Sequence, residues 1–379
     1  MRKKKIVCIA IIIFFAVLFG GRMRFRQLNL SNGVKAQQAA ADDLTGESQN
    51  HHISKKIDDN LSVNADIIEG LGKYREYKVA LTDITAEIAK TKLEELTGKS
   101  SGSLDSENGN FWYTALDGSQ AYYVDGCLHL LRQGGIDDDL SSLLLTWTDV
   151  HKKEIKQNDL SFMSLREATD LVLEYAGEFI SEKCEVLQAN AVEESAIENW
   201  YYEMLSDSDD PSDWSVDENK LQELGDAYLI KLGGCKDGIP VYSWINEQPV
   251  NTVMDMSVAQ PFSVTAVVTK DGIRYFSMDY PFYTEEEKER DLDILSVENA
   301  LNIVLKKLQG QILDGETVLD KIYLEYILIS DTEMWKPQLL RPYWVFEYKN
   351  TTIEDGNMVE SRAAIRINAE TGEDAAYGK

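Results

Sequence analysis

The chain has 379 residues, 44% hydrophobic and 27% charged, a composition typical of folded proteins with a buried core. Lys and Arg number 38 against 65 Asp and Glu, and seven of the basic residues precede Gln27. The rest of the chain therefore carries 31 basic and 65 acidic residues, a net charge of −34. This charge excludes binding to nucleic acid or anionic lipid by general electrostatic attraction.

The N-terminus combines basic residues with an uncharged apolar run at residues 6–21. A helix of this length spans roughly 24 Å, and a full membrane crossing needs about 20 apolar residues. Arginines that flank the run extend its reach by placing their charges at the interface. A cleaved signal peptide is the alternative. We expect residues 1–26 to be a single-pass membrane anchor or uncleaved signal, with the bulk of the chain outside the cytoplasm.

Two regions of different character follow the predicted anchor. Residues 27–60 are polar and typical of a stalk, in which we expect the pair His51-His52 to be solvated. Residues 61–160 predict an N-terminal α+β region. Within it, Ile84 and Ile88 belong to an apolar helical stripe, and short strand-like runs are separated by tight Asp-Gly turns.

The last part of the chain, residues 296–379, predicts a helix followed by three strands. Ser296 is placed to cap the helix, and apolar residues then recur at spacings of three and four up to Leu308. The strands are predicted at 322–329, 343–348 and 363–369.

A similar order of elements occurs upstream, in residues 161–283. Ser164 and Glu167 form a capping-box pattern that begins a helix 132 residues before Ser296. We interpret this region and the C-terminal unit as a tandem duplication, separated by a charged linker at 284–295. The predicted fold class is α+β: an N-terminal transmembrane helix, then antiparallel-sheet modules that each carry a packed helix.

Two short stretches of the C-terminal unit carry a family resemblance. A proline-aromatic strand, Arg-Pro-Tyr-Trp-Val-Phe at 341–346, precedes a strand that ends in Asn-Ala-Glu-Thr-Gly at 368–372. Together they resemble the end of PepSY-type domains. They are also similar to the accessory regulators beside a bacterial cell-wall sensor kinase, which have one N-terminal membrane segment and an extracellular α+β body. The resemblance implies a non-enzymatic regulatory or inhibitory module, and it supplies no catalytic residues.

Motifs for catalysis or cofactor binding are missing from the sequence. The four histidines are too few and too scattered for a triad or a zinc site, and no phosphate-binding loop or hydrolase motif occurs. We therefore expect no cofactor. Cys127, Cys184 and Cys235 allow at most one disulfide; buried thiols are the favoured interpretation, and a Cys184–Cys235 bridge is the alternative.

One acidic run partly matches a calcium-binding loop. Asp207, Asp209, Asp213 and Glu218 fall at positions 1, 3, 7 and 12 of an EF-hand register. A proline and a serine occupy positions 5 and 6, where the loop needs an oxygen ligand and a glycine. A solvated loop is the favoured interpretation, and a calcium site is the alternative.

The expected function is that of an interaction protein. Trp335 is a candidate partner contact because tryptophan is enriched at binding hot spots, with core packing as the alternative. We expect a membrane-anchored, extracytoplasmic, non-enzymatic protein that regulates an envelope sensor kinase or protease through a membrane or envelope protein partner. The alternatives are a ligand- or peptide-binding module with an apolar cavity, and an envelope hydrolase with a carboxylate pair of shifted pKa values.

Overall fold

The structure is a computed structural model of the chain. It describes residues 51–68, 73–98, 101–107, 109–132, 158–180, 182–207, 225–243, 259–309, 315–330, 337–354 and 357–374. These residues all belong to one unit, Gly46–Lys379.

Strands dominate the described residues. The strands are β1 (His51–Lys56), β2 (Leu61–Ile68), β3 (Arg75–Leu81), β4 (Gly102–Glu107), β5 (Asn110–Ala115), β6 (Gln120–Val124), β7 (Cys127–Leu131), β8 (Lys183–Val192), β9 (Ala227–Lys236), β10 (Ile239–Pro240), β11 (Ala259–Gln260), β12 (Ser263–Thr269), β13 (Gly272–Asp279), β14 (Phe282–Asp291), β15 (Glu316–Ser330), β16 (Pro337–Glu354) and β17 (Asn357–Asn368). The helices are α1 (Ala86–Thr97), α2 (Leu165–Gly177), α3 (Glu194–Asp207) and α4 (Val297–Gln309).

The first sheet takes strands from both ends of the described chain. Its eight strands have the order β1-β2-β15-β16-β3-β14, with β11 paired to β15 and β17 paired to β16. The pairing of β2 with β15 is parallel and joins Leu61 to Thr317 and Ile67 to Ile322. The other named strand pairs of this sheet are antiparallel.

The second sheet has nine strands in the order β10-β9-β12-β13-β7-β6-β5-β4, with β8 paired to β9. Asp125 and Gly126 join β6 to β7 with φ angles of 51° and 91°. A two-residue turn with positive φ at both positions matches the twist of a hairpin, so the turn predicted there is confirmed. Asp237 and Gly238 join β9 to β10 in the same way, with φ angles of 53° and 76°.

Helix α4 packs its apolar face into the core, as its periodicity predicts. Its buried residues are Val297, Ala300, Leu301, Val304, Leu305 and Leu308. The indole Nε1 of Trp344 donates to the carbonyl oxygen of Leu295 at 3.0 Å and so ties β16 to the segment before this helix. The capping box of α2 is also confirmed, because Ser164 Oγ accepts from Glu167 N at 3.2 Å while Ser164 N donates to the Glu167 carboxylate at 2.9 Å.

The predicted α+β fold class is wrong, because the described residues are mostly β, with 57% in strands and 20% in helices. Separate antiparallel-sheet modules in tandem duplication do not form, since β2 and β3 share the first sheet with β15 and β16 and one pairing is parallel. The predicted transmembrane helix at 6–21 lies outside the described residues. Within the described segments, no helix is long and apolar enough to cross a membrane.

Two segments that the sequence assigns to connections are strands. Residues 51–56 of the predicted stalk form β1 and pair with β2. Much of the predicted charged linker belongs to β14, which pairs with β3. Arg75 donates to Asp291 and to Glu289 there, each at 3.0 Å. Cross-strand charge pairs thus replace the apolar alternation by which a strand is recognised in a sequence.

Candidate functional site

Most residues of the proposed calcium site lie outside the described residues. Asp207 is the last residue of α3, whereas Asp209, Asp213 and Glu218 fall outside the described ranges, as does the candidate partner contact Trp335. In the part of the chain that the structure describes, no group of three or more His, Cys, Asp or Glu side chains is arranged to hold a metal ion. The calcium site and the Trp335 contact therefore stay predictions.

His52 lies on the edge strand β1 and has protein partners rather than a place in a solvated linker. Its Nδ1 is 2.8 Å from Asp66 Oδ1, and its Nε2 is 3.2 Å from Asn64 Oδ1. The hydrogen bond to Asp66 raises the pKa of His52 above its ordinary value, because it favours the charged imidazolium.

Alternating charges cross one face of the first sheet, which is the face opposite the buried side chains of Ile67 in β2 and Ile322 in β15. The strand registers place His52 beside Asp66, Asp66 beside Lys321, and Lys321 beside Glu347. Lys321 Nζ lies 3.9 Å from Glu347 Oε1. Exposed ion pairs contribute only about 0–1 kcal/mol each. The row therefore adds little to the stability of the fold, and its main consequence is a patterned charged surface.

Asp320 lies beside this row, at a bulge where the register of β15 on β16 shifts. Arg362 donates through Nη2 to Asp320, and its Nη1 lies 3.5 Å from Glu347 Oε2. Burial raises the pKa of Asp320, although the charges of Arg362 and Lys349 oppose that rise. A raised carboxyl pKa is a property of general acids. Here, however, a guanidinium contacts both carboxylates, so the arrangement is an ion-pair network rather than two carboxyl groups facing one reacting atom.

Farther along the same face, where Tyr242 covers the sheet, a charge pair is fully buried. Arg366 Nε donates to Glu325 Oε2 at 3.0 Å, and the two side chains are 4% and 1% exposed. The guanidinium carbon of Arg366 lies 4.9 Å from the ring centroid of Tyr242. Tyr242 is held in place because its backbone N–H donates to the carbonyl oxygen of Tyr326 at 2.7 Å. Arg366 is thus enclosed by a carboxylate and an aromatic ring, which indicates a structural role.

The hairpin of β16 and β17 ends in two exposed apolar side chains. Ile353 and Met358 are directly opposite in the strand register and are 77% and 74% exposed. Alternate residues of a strand share a face, so this pair lies on the same face as Lys349 and Arg362. Sequence reasoning missed the pair. The available signal is that both residues flank Asp355-Gly356 in the sequence, a pair of residues typical of tight turns.

A second exposed hairpin, formed by β4 and β5, lies at one end of the second sheet. All six residues of β4 are exposed, and its pairing with β5 is its single strand pairing among the described residues. The exposed large apolar residues of this hairpin and of the turn after it are Leu104, Trp112 and Leu116.

Polar and aromatic side chains form a row across the second sheet. The residues that oppose one another in successive registers are Lys231, Thr265, Ser277, His129, Tyr122 and Trp112. The rings of Tyr122 and His129 stack with their centroids 4.5 Å apart and an interplanar angle of 16°. The row is buried at Lys231 and exposed at Trp112.

The cysteines within the described residues, Cys127, Cys184 and Cys235, are all free. Cys184 is directly opposite Gly234, so its side chain and that of Cys235 project from opposite faces of the sheet. The bridge considered from the sequence is therefore not formed. Burial raises the pKa of Cys184 and of Cys235 to about 12 in each case, which is a property of inert structural thiols.

Comparisons with known proteins find a solved structure with a similar fold. No protein-family model and no curated protein sequence matches the chain. The fold is similar to the solved structure of an uncharacterized protein from Eubacterium rectale, with a TM-score of 0.54 and 17% sequence identity. The alignment covers 90% of this chain and 99% of that chain. At this identity the likeness shows the fold alone.

Proposed function

We propose that the chain is a non-enzymatic, membrane-anchored, extracytoplasmic regulatory protein that acts by direct contact on an envelope sensor kinase or protease. The observation that carries the proposal is the exposed pair Ile353 and Met358 at the end of the β16–β17 hairpin. The resemblance of residues 341–346 and 368–372 to accessory regulators supports the same function. An anchor at residues 6–21 would hold the chain at the membrane, where such partners lie.

Two large apolar side chains in direct contact with water favour association with another protein. Single exposed hydrophobic residues are common, but Ile353 and Met358 oppose each other and form one continuous patch. Burying both would gain about 3–6 kcal/mol, at about 1.5–3 kcal/mol for each side chain. Only part of that gain would appear as affinity, because association costs translational and rotational freedom.

The hairpin is held at its base, which fixes the position of the patch. Trp344 and Phe346 of β16 and Ile367 of β17 are buried in the core. Strand β15 supports β16 as far as Thr351, which is opposite Glu316. A surface that is already ordered loses little conformational entropy on binding. The hairpin is therefore suited to contact with a partner.

Crosslinking in cells that carry the membrane-anchored chain tests this proposal. A photo-reactive amino acid would replace Thr351, next to the patch, in the full-length chain, and mass spectrometry would identify the captured proteins. We expect a sensor kinase or membrane protease. The double variant Ile353→Ser with Met358→Ser should lose that capture and keep its melting temperature, because both residues are exposed.

Leu116→Ser is the matched control, since Leu116 is exposed on a different hairpin and its replacement should leave the capture unchanged. An anchor-deleted chain, run in parallel, should capture less of the partner. The proposal fails if the probe at Thr351 captures no envelope protein, or if the double variant captures as much as the unchanged chain.

An extracytoplasmic ligand- or peptide-binding module is the second candidate function, and the row across the second sheet favours it. The stacked rings of Tyr122 and His129, beside the exposed Trp112, offer aromatic contacts next to hydrogen-bonding side chains, a combination common in ligand sites. Native mass spectrometry of the full chain would detect a molecule that copurifies with it. Trp112→Ala should lower the bound fraction, and an equal bound fraction in this variant would contradict the second candidate.

A further inference from the structure

We propose that β4 is a strand-addition site, where an extended segment of a partner protein with alternating apolar and basic residues pairs with the free edge of the second sheet. The inference rests on the proposed function as an interaction protein. It concerns a different surface from the Ile353–Met358 patch and has its own test.

One hydrogen bond at the start of β4 shows which of its backbone groups face β5. β4 pairs with β5 along its whole length. Leu116 N donates to Ser101 O at 2.9 Å, so this pair is a hydrogen-bonded one. Hydrogen-bonded and non-hydrogen-bonded pairs alternate along an antiparallel ladder. The backbone groups of Ser103, Asp105 and Glu107 therefore face β5.

The intervening residues of β4 turn their backbone groups the other way. Gly102, Leu104 and Ser106 each direct one N–H and one C=O away from β5. No described strand pairs with this side, and all six residues of β4 are exposed. An added strand would find these donors and acceptors in the spacing that β-augmentation uses.

Proline, lysine and a bulge, three common protections of a free edge, are missing from β4, whose charged residues are the acidic Asp105 and Glu107. Natural edge strands carry proline, lysine or a bulge that blocks further pairing, and β1, an edge strand of the first sheet, has Lys55 and Lys56. β4 reads Gly-Ser-Leu-Asp-Ser-Glu and pairs with β5 without a register shift. As far as the described strands show, its edge is therefore open to a strand whose side chains suit its two faces.

The side chains of β4 define the chemistry of that strand. Asp105 and Glu107 project from one face, and Leu104 projects from the other. Partner residues beside the two carboxylates are favoured when basic, and a residue beside Leu104, which is 56% exposed, is favoured when apolar. Because the faces of a strand alternate residue by residue, the matching segment alternates basic and apolar residues. The acidic body of this chain adds long-range attraction for such a segment.

A synthetic peptide tests the proposal on the full-length chain in detergent micelles. The probe is a fluorescent ten-residue peptide of alternating valine and lysine, measured by anisotropy. A peptide of the same composition, with its valines and lysines in separate blocks, controls for charge attraction alone. We expect the alternating peptide to bind at least ten-fold more tightly than the block peptide.

Amide hydrogen exchange, resolved to single residues, locates the bound peptide. The amides of Gly102, Leu104 and Ser106 should exchange at least ten-fold more slowly at saturation, because the added strand would accept from them. The amide of Asp105, already bonded to β5 in the alternating pattern, should change little. This contrast distinguishes strand addition from general coating of an acidic surface.

Leu104→Pro is the decisive variant, since it removes an N–H that faces away from β5 and leaves the native ladder intact. It should weaken binding of the alternating peptide at least ten-fold. Ser54→Pro is the matched control on the free edge of β1. The hydrogen bond from Ile57 N to Leu61 O, with the same alternation of pairs along the ladder, places the Ser54 N–H on the side of β1 that faces away from β2. Binding of the peptide at β4 should therefore be unchanged.

The double variant Asp105→Lys with Glu107→Lys provides a second line of test should Leu104→Pro fail to fold. It should weaken binding at least ten-fold through charge repulsion. Binding unaffected by these variants, equal binding of the two peptides, or unchanged exchange at Leu104 would each overturn strand addition. None of these results bears on capture from Thr351, so failure of this inference and failure of the proposed function are separate outcomes.

Discussion

Replacing Arg366 with methionine should lower the free energy of unfolding by about 3–5 kcal/mol, because it leaves Glu325 buried without this counter-ion. The Glu325 side chain is 1% exposed, so water has almost no access to the carboxylate. The expected loss is a large fraction of the roughly 5–15 kcal/mol by which folded proteins are stable. Glu325→Leu alone should have a cost of similar size, since it leaves the buried guanidinium without its carboxylate.

Removing both charges should have a much smaller effect. A buried ion pair replaced by apolar residues of similar volume is often neutral, or more stable by about 1–4 kcal/mol. The double variant Glu325→Leu with Arg366→Met should therefore regain most of the stability lost in either single variant. It also loses the contact of Arg366 with Tyr242, which contributes up to about 2 kcal/mol when shielded from water.

Urea unfolding at pH 7 of the unchanged chain, both single variants and the double variant gives the coupling energy directly. Lys56→Met is the control, because Lys56 pairs with Asp59 at the surface and its loss should change stability by less than about 1 kcal/mol. A cost for Arg366→Met as small as that of Lys56→Met would refute the argument from burial.

Three further predictions concern titration and capping. Burial raises the pKa of Asp320 above its ordinary 3.8, so its ionised form destabilises the fold and stability falls as pH rises above that value. Asp320→Asn should therefore raise the free energy of unfolding at pH 7. Urea unfolding should show this gain disappear towards pH 4. NMR titration should place the pKa of His52 above 6.5, and Asp66→Asn should lower it. The stability that this pair contributes is fully present below pH 6.5 and is lost as pH rises through the raised pKa. A His52 pKa that Asp66→Asn leaves unchanged would contradict the assignment. Ser164→Ala should cost about 1 kcal/mol of thermal stability by removing the cap of α2, whereas Ser164→Asp, which keeps a capping oxygen, should cost less.

The sequence predicts those elements whose signal lies within a short window. Helix α4 and the strands at 322–329, 343–348 and 363–369 are confirmed, because a period of 3.6 or 2 is visible within each element. β14 is missed because its acidic and basic residues show no such period. It is held instead by Arg75 on another strand. The fold class is missed because the parallel pairing of β2 with β15 joins distant segments and leaves no local pattern.

The candidate surfaces depend on tertiary structure in the same way. Ile353 and Met358 are ordinary strand residues in the sequence, and their exposure arises because β15 supports β16 only as far as Thr351. The raised pKa of Asp320 arises from burial at a β-bulge, and no local sequence motif predicts that bulge. The exposure of β4 is likewise decided by its place at the end of the second sheet. Sequence reasoning supplied the turns, but only the folded chain shows which side chains they leave uncovered.

The parallel pairing of β2 with β15 also determines how late in biosynthesis the first sheet can be completed. β2 ends at Ile68 and β15 begins at Glu316, so a ribosome that adds about 5–20 residues per second needs roughly 12–50 s to travel from one to the other. During this interval β2 has no β15 to pair with, and the first sheet stays incomplete. A nascent or truncated chain that stops before Glu316 would leave the apolar face of β2 exposed to chaperones, proteases and aggregation.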